Sequence, residues 1–115
     1  MQAHTGDFQA VRTVLLDRRE ELRRRLTEVR ADIQRHAEPL SPDFAEQANE
    51  RENDEVLEAL QRTTESELAE VDSALGRLRA GTYGECRACG YPIEPRRLEA
   101  VPCTDRCSLC ATQRT

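Results

Sequence analysis

Two short cysteine pairs constrain this chain more than any other feature of its sequence. Cys86-Arg87-Ala88-Cys89 and Cys107-Ser108-Leu109-Cys110 are both CxxC, with seventeen residues between them. Each CxxC turn can aim two thiolates at one point, and two such turns give four sulfurs around a metal ion at about 2.3 Å each. Gly90, directly after Cys89, suits a tight turn that exposes backbone N–H groups to the sulfurs. Four thiolates leave no open position for water or substrate. The site expected is therefore one structural Zn2+ held by Cys86, Cys89, Cys107 and Cys110. Other readings are an iron–sulfur centre, a redox dithiol or unrelated buried thiols. The spacing is not a ferredoxin run, and no βαβ pattern surrounds either pair. Cys103, the fifth cysteine, follows Pro102 and reads as a small apolar filler or exposed thiol rather than a ligand.

Upstream of the cysteines the pattern is helical. Phe8, Leu15, Leu22 and Val29 recur every seven residues, with Leu26 and Ile33 at companion positions. A second segment repeats Leu57, Thr64, Val71 and Leu78 at seven, interleaved with Leu60, Leu68 and Leu75. Both stripes are narrow, as in a coiled-coil seam. A first helix of about 28 residues would span roughly 42 Å. Pro39 should stop it, and Ser41 with Pro42 suits a restart, with serine as N-cap and proline at the first helical position. So short a link returns the second helix antiparallel to the first. The second helix should end near Arg79, with Gly81 as its C-terminal punctuation. The fold class expected is mainly α: an antiparallel coiled-coil hairpin over residues 1–80, with its tip near 37–48, followed by a small four-cysteine zinc-finger unit over 81–115.

Charge sets the function class. All seventeen basic residues are arginine. Residues 1–42 carry eight arginines against seven acids, residues 43–79 four against eleven, and residues 80–115 five against four. The acidity therefore sits in residues 43–79, while the segments on either side are slightly basic. A duplex-binding protein normally presents a basic face, so sequence-specific DNA binding is not expected, and a protein partner suits the acidic stretch better. A zinc-dependent nucleic-acid module would have to use Arg87, Arg96, Arg97 and Arg106. A cytosolic redox or zinc sensor using Cys103 is a further alternative. With 3% aromatic residues, a roomy enzyme pocket is not expected, and no nucleophile–base pair or phosphate-binding glycine loop occurs. Asp43 and Glu46, read alone, are acids in a first helical turn, which the macrodipole favours. No secretory signal and no apolar run of about 18 residues is present, so a cytoplasmic monomer is expected.

Three sets of residues resemble the DksA/TraR family of bacterial transcription regulators: the four-cysteine cluster, the flanking Gly81-Thr82-Tyr83-Gly84-Glu85-Cys86 with Cys89-Gly90, Ile93 and Arg96-Arg97-Leu98-Glu99-Ala100, and Asp43-Phe44-Ala45-Glu46-Gln47-Ala48. The last matches the family's Asp-x-x-Asp-x-Ala motif at the end of a coiled-coil hairpin, with Glu46 in place of the second Asp. The resemblance implies a protein that binds RNA polymerase, enters its secondary channel and alters promoter-complex lifetime through tip residues Asp43, Glu46 and Ala48. Longer members of the family bind the alarmone ppGpp through basic residues. The corresponding positions here are Glu70, Val101 and Ala111; none is basic, which speaks against dependence on ppGpp.

Overall fold

Apolar residues at heptad spacing can be covered only if each helix lays its stripe against another. In the computed structural model they do so as a long helical hairpin. The structure describes the backbone of residues 8–36 and 44–112, and the side chains of 8–35 and 51–112. The first helix, α1, runs Gln9–His36 and the second, α2, Phe44–Ala80; two short helices follow, α3 Pro95–Ala100 and α4 Ser108–Thr112. No strand occurs among the described residues, only an isolated antiparallel bridge between Glu85 and Pro92. The proposed restart at Ser41 and Pro42 lies outside the described residues.

The chain divides into two compact units. One is the start of α1 up to Arg19 together with the chain from Ala69 onward; the other is Glu20–Leu68. In the second of these, Leu22, Leu26 and Val29 of α1 and Thr64 of α2 are buried. Thr64 is fully enclosed because its hydroxyl donates to the Leu60 carbonyl one turn back, at 2.7 Å, so no polar group is stranded. Arg30 pairs with Glu65 across the two helices at 3.0 Å, joining arginine-rich α1 to glutamate-rich α2. One seam residue departs from expectation. Leu60 is 39% exposed.

The other unit joins the two helices to the cysteine segment. Leu15, Val71, Ala74 and Leu75 are buried in it, and Arg19 pairs with Asp72 at 2.7 Å. Ala74, which the count of larger apolar residues passes over, is fully buried. Helix α2 ends in a Schellman motif: the Thr82 N–H donates to the Arg77 carbonyl at 2.9 Å and the Gly81 N–H to Leu78 at 3.3 Å. Gly81 supplies the required left-handed φ of 80°. Tyr83 then folds in, 2% exposed, with its ring edge-on to Phe8 at 4.8 Å and its hydroxyl donating to the Pro102 carbonyl at 2.8 Å. The composition changes at residue 81, but packing divides within the helices, because Phe8 and the end of α2 hold the cysteine segment.

Candidate metal centre

The first CxxC sits in a tight turn after the bridge. The Cys86 N–H donates to the Tyr91 carbonyl and the Gly90 N–H returns to the Cys86 carbonyl, both at 2.8 Å. Gly90 has φ 80°, the left-handed region where a side chain is strained. The second CxxC opens α4: the Ala111 N–H donates to the Cys107 carbonyl at 2.9 Å and the Cys110 N–H to Cys107 Sγ at 3.5 Å. The Arg87 N–H donates to the Asp105 carbonyl at 2.8 Å and so ties the first turn to the chain just before the second. Cys86 and Cys107 are buried around Ile93, with Leu98 and Cys110 packed against them.

The four sulfurs of Cys86, Cys89, Cys107 and Cys110 lie within 4.8 Å of one another. A tetrahedral metal–thiolate site with bonds of about 2.3 Å separates its sulfurs by about 3.8 Å, and Cys89 Sγ and Cys107 Sγ are 3.9 Å apart. The donor set thus fits one tetrahedral metal ion. Its electrostatics agree. Backbone N–H groups of Cys107, and then of Cys89 and Ala88, pull the Cys86 thiol down to about 6. The sulfurs of Cys107, Cys86 and Cys89 push Cys110 up to about 12. A first thiolate is favoured and the later ones oppose each other, an imbalance that a dication removes. With all four positions taken by protein, such an ion would hold loops together and offer no site to a substrate.

Sequence reasoning missed the side chains that hold these loops. Arg97 Nε donates to the Arg106 carbonyl at 2.8 Å and Nη2 to Thr104 Oγ1 at 3.2 Å. Arg77, from α2, reaches the carbonyls of Cys103 and Thr104 at 3.2 and 3.4 Å. Glu94 accepts from the Ser108 N–H at 3.3 Å and from the Ser108 hydroxyl, which covers the start of α4 and holds the Glu94 carboxyl below its usual range. None of these contacts has a periodic signal in the sequence. Arg97 reads there as one more solvent-facing arginine, whereas its guanidinium holds the Arg106 carbonyl and the Thr104 hydroxyl. Cys103 is half-buried and is not one of the clustered four. Of the tip residues, Asp43 lies outside the described residues; Glu46 and Ala48 fall in the first turns of α2, where the backbone alone is described.

Comparison with known proteins matches residues 11–78 to a family model described as DnaK suppressor protein-like, N-terminal domain. The RNA polymerase-binding transcription factor DksA of Caulobacter vibrioides is 37% identical over 89 residues, covering 76% of this chain and 61% of that protein. The chain spans from 41% to 61% of the length of the curated relatives it matches. Among solved structures, transcription factor DksA2 from Pseudomonas aeruginosa superposes with a TM-score of 0.80 at 30% identity, over 95% of this chain and 81% of that one. The solution structure of DnaK suppressor protein from Agrobacterium tumefaciens gives a TM-score of 0.62 at 42% identity, over 92% of both chains. Among the described residues, no helix is long and apolar enough to cross a membrane.

Proposed function

The chain belongs to the DnaK suppressor protein-like family, whose N-terminal domain its residues 11–78 match, and from this membership we propose that it is a transcription regulator that binds RNA polymerase. The hairpin enters the secondary channel, and Asp43, Glu46 and Ala48 act at its tip on the stability of promoter complexes. The protein is not an enzyme; it works in the cytoplasm as a monomer. One structural Zn2+, held by Cys86, Cys89, Cys107 and Cys110, secures the segment that follows α2. The observation that carries this reading is the pairing of a long helical hairpin with a closed four-sulfur cluster. That combination offers a long charged hairpin and a four-sulfur cluster with no open metal position for chemistry. Action does not require ppGpp, because Glu70, Val101 and Ala111 offer phosphate no cation.

The test is binding to core RNA polymerase, followed by transcription from a ribosomal RNA promoter with and without ppGpp. The expected result is binding together with a change in promoter-complex lifetime that ppGpp does not alter. Absence of binding overturns the proposal. Asp43→Asn is expected to keep polymerase affinity within about threefold while abolishing the transcriptional effect, since it removes a charge without changing shape.

A further inference from the structure

Three arginines converge on one cavity in the unit that carries the cysteines. Arg12 and Arg19 come from α1 and Arg79 from α2; with Leu16 and Leu78 they line a space of about 220 Å³. The only carboxylate among its lining residues is Asp72, so guanidinium groups outnumber acids by two. In a chain of net charge −5 this is a local reversal of sign. Asp72 is already engaged, 2.7 Å from Arg19 Nε. The pair is close but not aligned, and the buried Arg19 N–H has no hydrogen-bond acceptor. Among the described residues, Arg12 and Arg79 make no ion pair or hydrogen bond. Beside them Leu16 is left 42% exposed.

Size and chemistry together select the occupant. Pockets for cofactor-sized ligands run from about 300 to 1,000 Å³, so this cavity is small for a nucleotide and right for a side chain with part of its neighbour. Guanidinium forks bind carboxylates through two parallel hydrogen bonds. A docked side chain would cover the leucines beside them and displace water, which strengthens such a bond, and arginines in partly apolar pockets are frequent anchors of protein interfaces. We infer that the cavity between Arg12 and Arg79 is a docking site for an acidic side chain, flanked by an apolar residue, on the protein partner. The identity of that partner, core RNA polymerase, rests on the function proposed above; the cavity adds which surface of this chain meets it.

The experiment compares the affinity of the zinc-loaded full chain for core RNA polymerase across three proteins. Arg12→Ala/Arg79→Ala is expected to weaken binding roughly tenfold or more. Arg24→Ala/Arg62→Ala removes the same charge from exposed positions outside the cavity and is expected to stay within about threefold of wild type. Equal effects in the two variants overturn the inference, as does wild-type affinity in the first. Failure of the wild-type chain itself to bind overturns both the polymerase reading and the inference built on it. Zinc content and helicity are expected to be unchanged, since both arginines are exposed; should they change, Leu16→Ser replaces the double variant with the same expectation. A photo-crosslinking amino acid placed at Leu16 is expected to capture a polymerase segment containing Asp or Glu beside an apolar residue, and capture only of basic segments overturns the inference. A parallel titration with single-stranded DNA is expected to show no difference between wild type and Arg12→Ala/Arg79→Ala; a loss as steep as that for polymerase would make this a phosphate site instead.

Discussion

Single residues decide how the cysteine segment is entered and held. Gly81 takes a left-handed φ with nothing within 4 Å of where a Cβ would stand, so a substitution there meets backbone strain alone. Gly81→Ala is expected to lower unfolding free energy by about 1–2 kcal/mol in urea titrations, and Gly81→Asn by less, since asparagine tolerates this region. Glu94 covers the two donors of Ser108, next to a proposed ligand. Glu94→Gln is expected to speed zinc release to a chromogenic chelator by roughly two- to tenfold at pH 7. The carboxyl is held below its ordinary value of 4.5 by the Ser108 hydroxyl and N–H. Its contribution is therefore full above that value and lost as pH falls through the lower value of the folded state. The stability gap between wild type and Glu94→Gln is expected to close as pH falls through that window.

At the level of helices, burial follows the heptads over their middle positions and is partial at Phe8, Leu57 and Leu78. Leu15, Leu22, Val29 and Val71 are all buried, and their spacing alone announces it. Two seam positions show where spacing stops being informative. Leu60 has the right register and remains 39% exposed, while fully buried Ala74 adds little to any count of hydrophobicity. A small residue marks close packing between helices, which only the facing surface reveals. The cysteine segment divides the same way. The spacing of the CxxC pairs announces the four-sulfur cluster, whereas Arg77, Glu94 and Arg97 act on backbone groups far along the chain and leave no periodic trace. Leu22→Ala is expected to cost about 2–5 kcal/mol through cavity formation. Thr64→Val, at an equally enclosed site, should stay within about 1 kcal/mol, because its hydroxyl is satisfied within its own helix and the shapes match. Urea unfolding of the two variants checks the contrast.

For the molecule as a whole, the proposed zinc ion changes both stability and charge. Among the described residues, eleven hydrophobic residues form the buried core, two of them clustered cysteines, so the cysteine segment depends on metal more than on apolar burial. Stripping the ion with a strong chelator is expected to remove apparent stabilisation on the order of 10 kcal/mol at pH 7, seen as loss of a cooperative transition in thermal unfolding. One zinc per chain is the expected stoichiometry, lost in Cys110→Ser and kept in Cys103→Ser. Four thiolates around one dication leave two negative charges, which would move the net charge from −5 to about −7. The burial of Tyr83 has a separate consequence for anyone following these changes. The chain has no tryptophan and two tyrosines, one 2% and the other 73% exposed. Exposed Tyr91 has little fixed asymmetry around its ring, whereas Tyr83 is held between Phe8 and the Pro102 carbonyl. The tyrosine band of the near-ultraviolet dichroism is therefore dominated by one residue: an optical gauge, native to the sequence, of whether the loop at Pro102 is seated.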